Sequence, residues 1–307
     1  MKQKTFVLIA TLFVTLLWAT QAQAQALRTF VATAGSDAND CTFGTPCRTF
    51  AGAVPNTAPG GEITALDSGS YGVVTIDKAL TLQAAPGAHV ALGDGTATVA
   101  VMINAGPSDV IVLRNLHISR SGTAQRGIEF NSGGPGGALF IESCVVTGFP
   151  AAGIRFIADD GCSDNGCPEL FVKNTIARNN SKGIQFSGGV ATLDRCRFED
   201  NSTGVYVSSQ SRVTIRDCVV AGNLSYGLLS EVLADTALEN CAVTRNGTGI
   251  KASSGGFFVG RFYVSNTLIS ANTTGLLPNG GRIISFGNNR LTANNTNGAF
   301  TSTIPQQ

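Results

Sequence analysis

The chain has 307 residues, 43% of them apolar and only 13% charged, with 37 glycines and 10 prolines. Its 21 basic residues against 20 acidic ones leave no charge excess to drive binding to nucleic acid or to an anionic membrane surface. The composition stays uniform from about residue 60 onward, which excludes a linker between two domains and points to one continuous, turn-rich β body.

In chain order, residues 1–26 come first. Lys2 and Lys4 precede an apolar run from Phe6 to Ala19, followed by Ala-x-Ala spacing at Ala22/Ala24 and Ala24/Ala26. This pattern predicts an export signal cleaved near Ala24 or Ala26, and hence a secreted or periplasmic protein. The run is shorter than the roughly 20 residues a membrane helix needs, so no transmembrane segment is expected. Residues 27–61 read as a lead-in and capping segment. Cys41 and Cys47 bracket TFGTP there and are expected to form a local disulfide in an oxidising compartment. Thr45 is the predicted N-cap of a short helix with Pro46 in its first position, and Pro55 is expected to stop that helix after Val54.

Residues 62–307 carry an internal repeat. Segments such as ALFIESCVVT, ATLDRCRFED and VTIRDCVVAG align so that Asn115, Cys144, Asn174, Cys196, Cys218, Cys241, Asn266 and Asn289 fall at one point of each repeat. A glycine follows at Gly127, Gly153, Gly183, Gly204, Gly227, Gly249, Gly275 and Gly298, each directly before an apolar residue. Just ahead of most of these stand Asn180, Asn201, Asn223, Asn246, Asn272 and Asn295. Short runs with period-two alternation, broken at Asn and Gly, are strands with one buried face. A period near 22 residues fits three strands and three bends per coil, which predicts an all-β right-handed parallel β-helix. In such a stack identical residues lie about 4.8 Å apart and form ladders. The expectation is that the Asn/Cys column points inward and that Asn174 is satisfied by its neighbours above and below, while Asn180 and its kin are bend residues. Cys144, Cys196, Cys218 and Cys241 are then buried free thiols. A leucine-rich repeat would need an L-x-x-L-x-L framework, which is missing.

These coils resemble the right-handed β-helix repeats of the pectin lyase-like superfamily, over about residues 110–307. The stretch TFVATAGSDANDCTFGTPCRTFAGAV, with the later KALTLQA, is similar to the segment that caps the open end in secreted members. The resemblance implies that the strand after the third bend, the Gly-Ile-x-Phe segment, lines a polysaccharide groove. Its outward residues are Glu129, Arg155, Gln185, Tyr206, Leu229, Lys251 and Leu277. The loops NSGGPGG (131–137) and IADDGCSDNGCPE (157–169) follow that strand, the second expected to be pinned by a disulfide Cys162–Cys167. Asp159, Asp160 and Asp164 lie in it, near Arg155.

Two functions fit. The favoured reading is a non-catalytic extracellular solenoid that binds a glycan, without a cofactor, because no acid/base constellation repeats along the column. The alternative is a polyuronate lyase, in which Asp159, Asp160 and Asp164 hold Ca²⁺ and Arg155 removes a proton. Against that, Asp-Asp-Gly and Ser-Asp-Asn-Gly are ordinary turn sequences, and Arg155 can pair with Glu129 one coil away. The N-T-D, H-G and R-I-K elements of polygalacturonases are absent. His89 and His117 read as surface residues, and the Asn-x-Ser/Thr triplets at Asn179, Asn201, Asn223, Asn246 and Asn272 as bends.

Overall fold

The computed structural model describes residues 25–86, 88–92, 97–131, 137–158 and 166–305. The expected export signal therefore lies almost wholly outside the described residues. Among those that are described, no helix is long and apolar enough to cross a membrane.

Each coil contributes three strands, and each strand pairs in parallel with its counterpart one coil on. Five-residue strands such as Ala138–Glu142 and Glu169–Lys173 make one sheet, three-residue strands such as Val145–Thr147 and Ile176–Arg178 a second, and the Gly-led strands such as Arg126–Asn131 and Ala152–Ile157 a third. The first and third merge into one 20-stranded ladder because strands such as Lys182–Asp194 and Thr203–Arg216 turn their shared corner without a break, while the three-residue strands form a 10-stranded sheet of their own. The chain is a right-handed parallel β-helix. Alternation fixes its core: Leu139 and Ile141 point in while Phe140 and Glu142 point out. Within the core Phe130, Phe156 and Phe186 stack at centroid separations of 4.5 and 5.0 Å.

The N-terminal cap differs in detail from the sequence reading. The helix is Phe50–Ala53, capped by Thr49 and not Thr45, with the Thr49 side chain accepting from the Gly52 N–H. Asp37 moves the start: its carboxylate accepts from the Arg48 and Thr49 backbone N–H groups, both at 2.8 Å. Meanwhile Thr45 is held in the Cys41–Cys47 loop by Thr42 and Asp40. The helix does stop before Pro55, with Val54 as its C-cap, and Pro55 itself lies in a 3₁₀ turn, Val54–Asn56, that follows directly. The cap still does the expected work, since Phe50, Ala53 and Val54 are buried.

The inward column needs a larger correction, because the expected one mixes two neighbouring positions. Asn115, Asn174 and Asn266 align with Ser143, Arg195, Asp217 and Asn240, and all seven take a positive φ between 44° and 58°. These are left-handed bend residues with side chains directed outward, a conformation that Asn tolerates best. The column that points in runs one residue later through Leu116, Cys144, Thr175, Cys196, Cys218, Cys241 and Thr267 to Asn289. The four cysteines in it are free and buried, as expected.

The true asparagine ladder is at the other bend. Asn180, Asn201, Asn223, Asn246 and Asn272 are all at most 5% exposed. Side-chain amides link successive members at 2.8 to 3.2 Å, and the sixth rung is Asn294, not Asn295. Asn223 shows the pattern. Its Oδ1 accepts from the Asn201 backbone and side chain, and its Nδ2 donates to Phe198 O and Asn246 Oδ1. All four hydrogen-bonding capacities of the amide are used. The glycine column stands against this ladder: a Cβ on Gly204 would lie 2.7 Å from Gly227 O and 2.9 Å from Asn223 Nδ2. Of the Asn-x-Ser/Thr triplets, a sixth at Asn294 included, only Asn179 presents an exposed asparagine.

Candidate functional site

On the Gly-led sheet the outward residues form one column in register, Met102, Glu129, Arg155, Gln185, Tyr206, Leu229, Lys251 and Leu277. All five groove candidates from the sequence, Glu129, Arg155, Gln185, Tyr206 and Lys251, thus share one face. Their environments differ. Glu129 is 3% exposed and holds two guanidiniums, Arg126 Nη1 on Oε2 at 3.0 Å and Arg155 Nη1 on Oε1, while Asn131 Nδ2 donates to Oε1 at 3.4 Å. Arg155 is therefore committed to a buried carboxylate. A charged guanidinium has five donors and no acceptor, so it makes a poor base.

Farther along, Tyr206 donates its hydroxyl to Glu231 Oε2 at 2.6 Å, and burial followed by that carboxylate pushes its pKa up to about 12. Lys182 Nζ lies 5.3 Å over the Tyr206 ring, and Lys251 Nζ 4.6 Å over Tyr226, also donating to its hydroxyl at 3.2 Å. Sequence reasoning missed Arg126, Lys182, Tyr226 and Glu231. The first three each directly precede a column glycine, a regularity visible in the aligned repeats. Glu231 lies in a connecting segment, where the repeat gives no guide.

Asp159, Asp160 and Asp164 fall outside the described residues, as does Cys162; Cys167 is disulfide-bonded. Cys41 and Cys47 are bonded as expected, with Cα atoms 4.6 Å apart. Among the described residues no group of three or more His, Cys, Asp or Glu side chains is placed to hold a metal ion. The two histidines meet: His117 Nδ1 lies 2.6 Å from His89 Nε2, with ring centroids 4.3 Å apart. Burial, then the His89 and Arg178 charges, hold the His117 pKa below its ordinary value. Burial likewise pushes the Cys144 thiol up to about 12, which fits a packing role and no chemistry.

A second feature lies on the sheet of five-residue strands. Its outward column runs Val112, Phe140, Phe171, Thr192, Thr214, Ala237 and Tyr263. Phe140 and Phe171 stack face to face at 4.7 Å, and where the next ring would stand there is only Thr192. A cavity of about 200 Å³ opens at this step, lined by Phe171, Lys173, Thr192, Asp194 and Arg216 among others.

Comparison with known proteins places this architecture. The right-handed β-helix region family matches residues 100–269. The chain belongs to that family. A search of curated protein sequences finds no significant match. Among solved structures, this β-helix protein is similar to pectate lyase Pel9A (TM-score 0.56, 15% identity, 86% of this chain and 69% of that one). It is also similar to a rhamnogalacturonan lyase (0.53, 11%, 89% and 88%) and to the A-module of the Azotobacter vinelandii mannuronan C-5 epimerase AlgE6 (0.50, 14%, 91% and 89%). At these identities the likeness is one of fold, shared with polysaccharide lyases, and it bears out the pectin lyase-like resemblance at that level.

Proposed function

We propose that this is an exported, non-catalytic solenoid that binds an extended polysaccharide along the Gly-led sheet. The observation that carries the reading is the register of Arg155, Gln185 and Tyr206 at successive coils, with Lys251 one coil beyond Leu229: partly exposed donors and an aromatic ring in one column. Hydrogen-bonding groups set along coils about 4.8 Å apart, with one ring among them, suit an extended chain better than a compact ligand. The Glu129 carboxylate argues against the lyase alternative, because it occupies the one arginine in the column. The fold neighbours whose names specify pectate, rhamnogalacturonan and mannuronan make acidic polysaccharides the first ligands to try.

Affinity electrophoresis through gels containing polyuronates, with and without Ca²⁺, tests this alongside an ultraviolet assay for unsaturated products. The expected result is retardation with no rise in absorbance, weakened about tenfold by Arg155→Ala or Tyr206→Ala, the scale of one lost charge-assisted hydrogen bond or stacking contact. A Ca²⁺-dependent rise in absorbance that Arg155→Ala abolishes would replace this reading with the lyase one.

A further inference from the structure

We infer that the step between Phe171 and Thr192 is a second binding site, on a different face from the proposed groove and independent of it, for a pyranose ring that carries a carboxylate.

Its shape comes from an interrupted aromatic ladder. Phe140 covers one face of Phe171, and the register places Thr192 and not a third ring against the other. A missing ring in a stack with 4.7 Å spacing leaves a slot about one ring thick, closed on one side by a flat apolar wall. Beyond it the column stays small through Thr214 and Ala237 until Tyr263. A ligand seated in the slot therefore has room to continue along the sheet. A sugar ring suits such a wall because one of its faces is largely C–H while its edge is hydroxyl, the division that aromatic side chains recognise.

The charges around the slot select the sign of the ligand. Each carboxylate is already matched: Glu142 by Arg114 Nε at 2.8 Å, and Asp194 by both Arg195 Nη2 at 2.9 Å and Arg216 Nε at 3.2 Å. Lys173 lines the same cavity and has no ion-pair partner among the described residues. An ammonium left over beside two satisfied carboxylates favours an anion. Asp194, buried but with lone pairs beyond those two contacts, and the Thr192 hydroxyl are placed to take up ring hydroxyls. One apolar face, one cationic corner and hydroxyl-accepting oxygens together describe a hexuronate better than a neutral sugar or an aromatic acid.

The test is a titration of the purified chain with digalacturonate, followed by ligand-observed NMR, with galactose and benzoate as controls. Thr192→Phe supplies the missing rung; it extends an existing stack on an outer surface, so the fold is kept and the slot is filled. It is expected to weaken digalacturonate binding at least tenfold. Lys173→Gln is expected to weaken it three- to tenfold with the slot intact, and both losses are expected to persist when the substitutions are made on an Arg155→Ala background, in which the proposed groove is weakened. Undiminished binding by Thr192→Phe overturns the site, and galactose binding as tightly overturns its charge selectivity. Benzoate binding as tightly overturns the sugar assignment. Loss of binding in Arg155→Ala alone would place the ligand in the groove, supporting the proposed function while refuting this inference.

Discussion

Two bends of the coil solve the same problem with different chemistry. At the bend between the three-residue and Gly-led strands, amides form an unbroken ladder from Asn180 to Asn294 in which each interior side chain serves two backbone groups and two neighbours. At the bend between the five- and three-residue strands, the inward position accepts Leu, Cys, Thr or Asn. There a backbone N–H meets whatever the next coil offers, Cys218 Sγ at 3.3 Å from Cys196 N or Thr267 Oγ1 at 3.3 Å from Cys241 N. A strong donor and acceptor pair can be buried only if every rung matches, whereas a thiol is weakly polar and small enough to tolerate mixed neighbours. One bend therefore demands identity and the other only size.

Mutation of single rungs sharpens this contrast. Asn223→Leu should be the most damaging of these changes. It strands the Asn201 backbone and side-chain donors and Phe198 O in the interior, and at about 1 to 3 kcal/mol per buried unsatisfied group the total should reach about 3 kcal/mol or more in denaturant unfolding. Cys218→Ala should cost about 1 kcal/mol, the loss of one small buried group, and Cys218→Thr less, because Thr175 and Thr267 already fill the equivalent sites. A larger loss for Cys218→Thr than for Asn223→Leu would invert the assignment of the two columns. Asn174→Gly should change stability by less than about 0.5 kcal/mol, since glycine adopts its φ of 50° freely and the side chain is exposed.

The thiol bend can also be read chemically. Alkylation in denaturant without reductant should label Cys144, Cys196, Cys218 and Cys241 but spare Cys41, Cys47 and Cys167; in the native state those four should stay unlabelled. The smallest effect expected is with pH. The His117 pKa is held below its ordinary 6.5 in the folded state, so the unfolded chain binds the proton more readily. Its contribution to stability is present above about pH 6.5 and is lost as the pH falls below that. Melting curves from pH 7.5 to 5 should show a small decline that His117→Asn flattens.

The sequence told where coils begin and end but not which of two adjacent residues points inward. Asn115, Asn174 and Asn266 beside Cys144 and Cys196 made a plausible mixed column, because period alone is blind to a shift of one residue. The positive φ of those asparagines, which reverses the side chain at the bend, is a backbone property with no separate mark in the composition. The outward column of the Gly-led strands was legible because alternation within GIEF, GIRF and GIQF leaves one choice. The slot beside Phe171 was not: the Phe140–Phe171 stack that forms its wall joins residues on either side of the insertion 157–169, whose length hides the pairing. Asp37, which displaced the cap from Thr45 to Thr49, acts from 12 residues away in sequence and carries no local signal.

The asparagine ladder also has a sense of direction. In every rung Oδ1 faces a backbone N–H of the preceding coil and Nδ2 donates to the next amide along, so the dipoles of six side chains point the same way and polarise one another. Such a wire needs a different stopper at each end, and the chain provides both: the Phe149 N–H donates to Asn180 Oδ1 at 3.0 Å, and Asn297 Oδ1 accepts the last hydrogen bond from Asn294 Nδ2 at 2.9 Å. A coil presented upside down would oppose donor to donor, and one added beyond Asn294 would have to displace Asn297 first. The row of amides is thus a one-way thread through the solenoid, closed by its own chain at both ends.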